Sequence, residues 1–445
     1  MPPSHRRLIA LGLARSLLAG SQQQHSLQAR AAHALGHAPQ WLPNVLNQVF
    51  PMSEATWARL TMEELALRIE QATAWNDAFR SADPPEIRAW ILRPSRMTQP
   101  PLGLHELALP DLPHSQALAD WLGLPLDTLD WFTYCSARRR LAPLYAQHYA
   151  FSLQPKRSGG GRLIEAPRQR LKAVQTQVLK GLLDAVPVHE ACHGFVVGRS
   201  VLSHAQQHTQ QAVVMHFDLK NFFSSITASQ VAAVCRTLGY PPGVASQLAA
   251  LCTVSTPDPV IQRMRDDDWL DWHQAKCLRH PHLAQGAPSS PMLANLCAFR
   301  LDLRLDGLAW TLGARYSRYA DDLVISGPMS LSAASSRIAA WVGQIALDEG
   351  YAVNHRKTRL ATKANAQTVC GVMVNQHANM KRAEFDRLRA VLHQCQRHGP
   401  HAQNREGHAD FRAHLRGRVD WATQINPVKA RRLHALWDQI DWGAA

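Results

Sequence analysis

RYSRYADDLVISG, residues 315–327, places two adjacent carboxylates between two runs of β-prone residues. The pattern predicts strand, tight turn and strand, with Asp321 and Asp322 at the turn. Adjacent carboxylates repel each other and are costly to desolvate, so we expect a cation to face them. An Asp-Asp pair in an ordinary solvated turn is the alternative, and the dipeptide alone does not exclude it.

A third carboxylate ends an upstream β-prone run. Residues 213–223 read VVMHFDLKNFF, so a strand would deliver Asp218 at the point where its pairing stops. If the two strands are neighbours in one sheet, Asp218 and Asp321 can share two divalent cations about 3.5 to 4 Å apart, as nucleotidyl transfer requires. Oxygen ligands and phosphates favour Mg2+. The predicted cofactor is therefore two Mg2+ ions, with Asp218, Asp321 and Asp322 as metal ligands.

The composition indicates a folded, strongly basic protein. The 445 residues could form two or three domains, and a hydrophobic content of 46% argues against global disorder. A formal net charge of +14 indicates a polyanionic partner such as nucleic acid, although charge alone would also fit a membrane surface. No apolar stretch approaches the roughly 20 residues that span a bilayer, so no membrane partner is predicted.

The cysteines and the N-terminus bear on the cellular compartment. The eight cysteines are scattered without a CxxC pair, which predicts reduced thiols rather than a zinc site or a disulfide framework. The first residues, MPPSHRRLIALGLARSLLAG, faintly resemble a signal peptide, but Arg15 interrupts the apolar run and favours an amphipathic helix. The predicted location is the cytoplasm.

Residues 1–135 are rich in Leu and Ala and predict a helical N-terminal extension. Within it, residues 115–132 predict two helices joined by a Gly-Leu-Pro turn. A DNA-reading helix-turn-helix and a small helical docking module both fit this pattern. The second helix offers few basic or amide side chains to base edges, which favours the docking module.

Basic and glycine-rich segments follow and indicate phosphate binding. YAFSLQPKRSGGGRLIEAP, residues 149–167, predicts a hairpin that carries Lys156 and Arg162 around its tip. Such a hairpin could close over a nucleotide triphosphate; charge on an ordinary surface hairpin is the alternative. HGFVVGRSVLSHAQQH, residues 193–208, offers Arg199 as a donor to a phosphate backbone.

In their order along the chain, these segments resemble the motifs of reverse transcriptases. The segments around Asp218 and Asp321 resemble motifs A and C, and the loop QGAPSSPMLANL, residues 285–296, resembles motif B. The basic hairpin, HGF and GRS precede them in the family's order, and YAVNHRKT and VCG follow. The resemblance covers about residues 149–442. It implies an RNA-directed DNA polymerase of the α+β class with the right-hand fold, in which fingers and a palm with a small antiparallel sheet occupy 136–375 and a helical thumb occupies 376–445.

The resemblance also implies roles for individual residues. Lys357 would donate a proton to the leaving pyrophosphate or stabilise its charge. Phe223 would exclude ribonucleotides as a steric gate, unless it only packs against Phe222. The implied catalytic residues are Asp218, Asp321, Asp322 and Lys357. The implied nucleotide-binding residues are Lys156, Arg162, Phe223, Gln285 and Gly286. The implied RNA-binding residues are Arg199, His208, Cys370 and Gly371.

Two further blocks favour the retron type of reverse transcriptase. Ala205 and His208 resemble an Asn-Ala-x-x-His block with His204 in the Asn position, and Cys370 takes the Thr position of a Val-Thr-Gly block. A retron-type enzyme implies copying of a cognate structured non-coding RNA into single-stranded DNA in anti-phage defence. Its partners would be the template RNA, the nascent DNA and, as a further candidate, an effector protein.

Two alternatives remain open at this stage. One is another defence-associated or group II intron-like bacterial reverse transcriptase. The other belongs to a different class, a non-catalytic RNA-binding scaffold with a degenerate palm. The intact set of Asp218, Asp321 and Asp322 speaks against the scaffold, because a palm without chemistry has no need to keep three carboxylates together.

Overall fold

The computed structural model describes residues 5–442 except 54–55, 58–59, 92–95, 134–143, 145–146 and 156–159. Two compact units divide the chain, Met1–Arg96 and Met97–Ala445. Lys156, which the sequence assigns to nucleotide binding, lies outside the described residues.

The first unit consists of helices around an apolar core of its own. These helices are His5–Leu17 (α1), Gln24–Leu35 (α2), Leu42–Val49 (α3), Met62–Gln71 (α4) and Thr73–Ala78 (α5). Leu13, Leu65 and Trp75 are buried in the core. Helix α4 begins at a capping box, in which Thr61 and Glu64 each accept a hydrogen bond from the other's backbone N–H.

The second unit combines helices with short antiparallel sheets. Its helices and strands up to the first long strand of the central sheet are Ser115–Leu122 (α6), Leu126–Thr133 (α7), Tyr149–Pro155 (β1), Gly161–Pro167 (β2), Gln169–Gly181 (α8), Val201–Gln206 (α9) and Val213–Asp218 (β3). Those that follow, as far as the next pair of long strands, are Phe222–Ser225 (α10), Ala228–Thr237 (α11), Pro242–Cys252 (α12), Thr253–Val254 (β4), Asp258–Asp266 (α13), Trp272–Arg279 (α14), His282–Leu283 (β5), Ser290–Cys297 (α15) and Phe299–Thr311 (α16). The remainder are Arg315–Tyr319 (β6), Asp322–Gly327 (β7), Ser330–Ala333 (α17), Ser335–Asp348 (α18), Arg359–Thr362 (β8), Thr368–Val369 (β9), Val372–Met373 (β10), Arg382–His398 (α19), Phe411–Ile425 (α20) and Pro427–Trp437 (α21).

Helices α6 and α7 confirm the predicted helix–turn–helix. Gly123 ends α6 with φ +65°, and its N–H donates to the carbonyls of Ala119 and Asp120. Leu118 and Leu129 from the two helices are buried in the main core of the second unit. The apolar face of the pair therefore serves packing within this unit.

The predicted basic hairpin is present as strands β1 and β2. They pair antiparallel, with Tyr149 opposite Pro167 and Pro155 opposite Gly161. The N–H of Glu165 donates to the carbonyl of Gln285 at 2.9 Å, which joins the hairpin to the loop before α15. Two segments expected to bind the nucleotide are therefore hydrogen-bonded to each other.

The central sheet has four antiparallel strands in the order β6-β7-β3-β8. Asp218 at the end of β3 lies opposite Asp322 at the start of β7, which confirms that the two acidic strands are neighbours. Met215 and Phe217 belong to the main core, whereas Val214 belongs to a second core on the other face. Both faces of β3 are covered, which accounts for its nearly continuous apolar sequence.

The C-terminal helices α19, α20 and α21 supply most of the second core. Phe385, Leu415 and Leu433 are buried there together with Val214 and Val324 of the sheet. These helices are thus anchored directly behind the strands that carry the carboxylates. Among the described helices, none is long and apolar enough to cross a bilayer.

Candidate active site

A cleft of about 840 Å3 lies at the end of the central sheet where the acidic strands meet. Asp218, Asp321 and Lys357 line it, and the hairpin contributes Arg162. Four segments that are distant in sequence thus bring two carboxylates and two cations to one cavity. The sequence assigned these four residues to one site, and the structure places them together.

The catalytic turn is tight and strained. Tyr319 pairs with Asp322 across the hairpin, so Ala320 and Asp321 alone form the connection. Ala320 has φ +56°, in the left-handed region that costs an L-residue other than glycine about 1–2 kcal/mol. Two-residue hairpin turns require such a conformation, and the surrounding structure must enforce it where the residue is not glycine.

Arg318 supplies part of that enforcement. Its fully buried guanidinium donates to both carboxylate oxygens of Asp302, at 2.7 Å each. Nη1 donates to the side-chain oxygen of Asn295 and to the backbone carbonyl of Ala320, both at 3.1 Å. Burial opposes the charge of Arg318, but the Asp302 carboxylate outweighs it and raises the pKa of the guanidinium. A buried ion pair therefore holds the turn from beneath.

Gly194 of the HGF segment completes this support. A Cβ at Gly194 would lie 2.6 Å from the backbone nitrogen of Ala320, so only glycine permits the close approach. The Gly194 carbonyl in turn accepts a hydrogen bond from the Asn295 side chain at 2.8 Å. The HGF segment, helix α15 and the catalytic turn are thereby held as one structure.

Lys357 brings a cationic side chain to Asp218. Its Nζ lies 2.8 Å from Oδ1 of Asp218, and Nδ2 of Asn354 donates to the other oxygen at 3.4 Å. The backbone N–H of Leu219 donates to the carbonyl of Asp321 at 2.9 Å, which fixes Asp321 beside the end of β3. The ion pair with Asp218 is the first cause of the raised pKa of Lys357.

The carboxylates at the turn resist ionisation. Burial in the concave site, followed by the charge of Asp321, raises the pKa of Asp322 to about 6. Burial also raises the pKa of Asp321, and the charge of Asp218 adds to it. Cys370 donates from Sγ to Asp322 at 3.6 Å, and burial raises the pKa of this thiol to about 12, so it stays a proton donor. Mutual repulsion in a recessed site is what a bound divalent cation would relieve.

The donor set suits a hard cation shared with a substrate. Among the described residues, no three carboxylate, imidazole or thiol side chains converge into a closed metal cage. Mg2+ is ordinarily held by one or two carboxylates together with waters and substrate phosphates, so an open pair is sufficient. Asp218 and Asp321, which both line the cleft, provide such a pair.

Three of the residues expected to contact the nucleotide, Arg162, Phe223 and Gln285, line the same cavity. Arg162 lies near enough to Asp321 for its positive charge to offset part of the rise in the pKa of that carboxyl group. Phe222, beside Phe223, also lines the cleft. Gly286 adopts φ +132°, and a Cβ there would press on the hairpin backbone at 3.2 Å. Phe222 is buried in the core, whereas Phe223 is half-buried and packs against the core from its edge.

A protein-family comparison identifies this architecture. A family model described as "Reverse transcriptase (RNA-dependent DNA polymerase)" matches residues 154–385, a span that contains every cleft residue named above. The chain belongs to the reverse transcriptase family. It is an RNA-directed DNA polymerase.

Curated relatives assign this reverse transcriptase to the retron type. It is 39% identical to the Retron Mx65 reverse transcriptase of Myxococcus xanthus over 74% of this chain and 72% of that protein. It is 34% identical to the Retron Mx162 reverse transcriptase of the same organism over 75% of this chain and 68% of that protein. A solved telomerase structure from Candida albicans aligns over 55% of this chain and 48% of that chain, at 11% identity and a TM-score of 0.33, which is too low to inform the fold.

The structure corrects one predicted RNA contact. His208 of the reverse transcriptase is fully buried, and its ring nitrogens hydrogen-bond with Ser317 and Ser326, each at 2.6 Å. Burial, followed by the neighbouring His204, lowers the pKa of His208, so the ring is neutral. A side chain enclosed beneath β6 and β7 cannot contact RNA, and the expectation for His208 is wrong. Its hydrogen bonds connect the chain just after α9 to strands β6 and β7.

The other residues expected at RNA lie outside the cleft lining. Arg199 Nη1 donates to three backbone carbonyls, those of His189, Glu190 and Cys192. Cys370 contacts the Asp322 carboxylate, and Gly371 turns the chain between β9 and β10 with φ +86°. RNA contact by Arg199, Cys370 and Gly371 stays a prediction.

Sequence reasoning missed several residues of the site. Asn354, three residues before Lys357, contacts Asp218. Amide side chains are frequent in loops, so the sequence alone does not distinguish this residue from an ordinary loop residue. Arg318 and Asp302 lie on a strand and a helix whose contact no local pattern reveals. Trp269 also lines the cleft, although its acidic segment, residues 266–273, is typical of a solvated helix start. Asp271 of this segment caps helix α14 and lines the cleft as well.

Proposed function

We propose that this reverse transcriptase adds deoxynucleotides to a primer on a cognate structured non-coding RNA, with two Mg2+ ions at Asp218, Asp321 and Asp322. The observation that supports the proposal most directly is the pairing of Asp218 with Asp322 across β3 and β7, with Asp321 in the adjoining turn. When bound, the metal ions would lower the pKa of the attacking hydroxyl and stabilise the charge of the leaving pyrophosphate.

The chain's own residues provide orientation and charge. Asp218 and Asp321 present oxygen ligands into the cleft. Lys357, in the loop before β8, forms an ion pair with the carboxylate of Asp218. With metal ions held by Asp218, the ammonium group of Lys357 would be available to the triphosphate. There it can stabilise negative charge or donate a proton to pyrophosphate.

We assign the polymerase subdomains by their place relative to this cleft. The hairpin β1–β2 and helices α13 and α14 belong to the fingers, and the four-stranded sheet with α16 and α18 forms the palm. Within the predicted bounds, 136–375 constitutes fingers and palm and 376–445 constitutes the thumb. Exposed basic residues of the C-terminal helices, such as Arg382 and Arg431, suit phosphate contacts with a template–primer duplex.

Phe223→Ala is expected to relax sugar discrimination. Phe223 lines the cleft and is only half-buried, so truncation of its ring opens space beside the nucleotide. The ratio of kcat/KM for ribonucleotides to that for deoxynucleotides should rise roughly 10- to 100-fold, the range for one steric contact. Steady-state incorporation of rUTP and dTTP on an RNA template measures it. An unchanged ratio would show that Phe223 serves packing alone.

The retron-type assignment predicts a specific RNA partner. Protein purified from its native host should carry one enriched, structured RNA, and addition of dNTPs and Mg2+ should yield DNA of discrete length without an added primer. Sequencing of the bound RNA and the product checks both. Extension of oligo(dT) on poly(rA) without an enriched RNA would favour another type of bacterial reverse transcriptase, and no synthesis on either template would favour the RNA-binding scaffold.

Action in anti-phage defence, with an effector protein in the cytoplasm, completes the proposal. The names of the retron relatives support the RNA-copying part of it. Loss of phage resistance in a host that carries an Asp321→Asn, Asp322→Asn variant would connect the chemistry to defence.

A further inference from the structure

The connection between helices α13 and α14 brings an aromatic side chain to the cleft. This side chain belongs to none of the segments that resemble reverse transcriptase motifs. Residues 266–273 read DDDWLDWH. Trp269, Leu270 and Asp271 line the same cavity as Arg162 and Asp321. Trp269 is half-buried. An indole in this place can act on the nucleotide directly or through the hairpin.

Trp269 lies directly against the backbone of the hairpin. A Cβ at Gly161, the first residue of β2, would overlap three atoms of the indole ring. Gly161 does not have a positive φ, so the backbone conformation does not require glycine here. Glycine is needed because the indole ring occupies the space of a side chain. The next residue along β2 is Arg162, whose charge reaches Asp321. The indole therefore contacts the backbone of Gly161, and the position of that backbone determines where the side chain of Arg162 starts.

Trp269 is itself held firmly. Its backbone N–H donates to the carbonyl of Met264 at 2.8 Å, in the turn that ends α13. Asp271, two residues on, starts helix α14 with a capping box to Gln274. The indole and Leu270 pack against a small apolar cluster that joins Leu163 of the hairpin to α13 and α14. The support for the indole is fixed at both ends.

The hairpin needs such support. Strands β1 and β2 pair only with each other in the described sheets, and an isolated two-stranded hairpin is at best marginally stable in water. Packing against neighbouring elements must therefore set its position. The contact between Trp269 and Gly161 involves the residue that directly precedes Arg162, the hairpin cation that lines the cleft.

We propose that Trp269 is a positioning residue that holds the β1–β2 hairpin over the cleft, so that Arg162 meets the triphosphate of the incoming nucleotide. The inference rests on the proposed function of the cleft and assigns a determinant of nucleotide affinity to an element outside the recognised motifs. Trp269 acts through the hairpin, and its effect falls on nucleotide binding rather than on the chemical step.

The first test separates KM from kcat. Trp269→Ala is expected to raise KM for dTTP about 10-fold on a poly(rA)–oligo(dT) substrate, with kcat changed less than about 3-fold. Trp269→Phe should recover most of the affinity, because a ring again fills the space. Trp272→Ala is the matched control, since Trp272 lies in the same segment, is 66% exposed and does not line the cleft. Its KM should match that of the wild type.

A double-mutant cycle tests the contact itself. Gly161→Ala retains the indole and its packing, yet its new Cβ collides with the ring, so it should raise KM in the wild-type background. Combined with Trp269→Ala, the same substitution should have almost no further effect, because the ring is gone. This non-additivity is the expected result.

Two outcomes would overturn the inference. One is an additive cycle, and the other is a loss of thermal stability in Trp269→Ala without a change in KM, which would mean that Trp269 only packs. DNA synthesis by the wild-type enzyme is measured in the same experiment. Its absence both on this substrate and on the co-purified RNA would reject the proposed function, whereas its presence with an unchanged KM in the variants would reject the positioning role alone.

Discussion

The Asp321→Asn, Asp322→Asn variant is expected to abolish DNA synthesis while the protein remains folded. Asn preserves the shape of each side chain but removes the charge that would hold the metal ions, at a turn whose carboxylates already lie beside Asp218. The rate of primer extension should fall by roughly 1,000-fold or more, equivalent to about 4 kcal/mol in the barrier. Single-turnover extension of oligo(dT) on poly(rA) measures it.

The same variant is expected to be more stable than the wild type when divalent cations are chelated. The pKa of Asp322 is about 6 in the folded protein, above its ordinary value of 3.8. Ionisation of this carboxyl group therefore weakens the fold as the pH rises from about 4 through 6. At pH 7 the variant should melt at a higher temperature, and the difference should shrink as the pH falls toward 4.

Addition of Mg2+ should reverse the order of stability. The cation should bind only the folded wild type and raise its melting temperature, whereas the variant lacks the two carboxylates proposed to hold it. Asp306→Asn, on the exposed surface of helix α16, is the matched control and should change neither activity nor the response to Mg2+. Synthesis at the wild-type rate by the double variant would remove Asp321 and Asp322 from the site.

The parts of the site that were predictable are those set by local sequence. Asp218 ends a run whose residues alternate between two buried faces, and Asp321 lies in a two-residue turn between strands. Each feature leaves a period or a turn signal that can be read without a structure. The order of the motifs then indicated that the strands carrying Asp218 and Asp322 are neighbours in one sheet, which no single segment reveals.

The parts that were not predictable depend on contacts between distant segments. His208 lies in a block associated with the retron family, but its burial follows from Ser317 and Ser326, more than 100 residues away. Trp269 lies in an acidic segment typical of a solvated surface, yet it reaches the cleft because α13 ends and turns there. A motif records which residues are retained, and it does not state whether a side chain faces substrate or core.

Arg318 and Asp302 are the most consequential of these contacts, because their ion pair is fully buried and joins the catalytic turn to helix α16. Arg318→Met is expected to lower the free energy of unfolding by about 3–5 kcal/mol, since it leaves the Asp302 carboxylate buried without its counter-charge. Chemical denaturation measures the loss. Arg304→Met is the control: Arg304 pairs with Asp348 and Glu349 at the surface, where removal of an ion pair has little effect.

Combining Arg318→Met with Asp302→Asn separates stability from positioning. With both charges of this pair removed, most of the lost stability should return, and the amide oxygen introduced at position 302 can still accept the hydrogen bond that Tyr316 donates to Asp302 at 2.8 Å. The hydrogen bond from Arg318 to the Ala320 carbonyl is still missing, so the strained turn is less firmly held. We therefore expect kcat to stay at least about 10-fold below that of the wild type, because small displacements of catalytic groups are costly. Recovery of kcat together with stability would show that the ion pair supports only the fold, whereas a stable, slow enzyme would show that Arg318 positions Asp321 for catalysis.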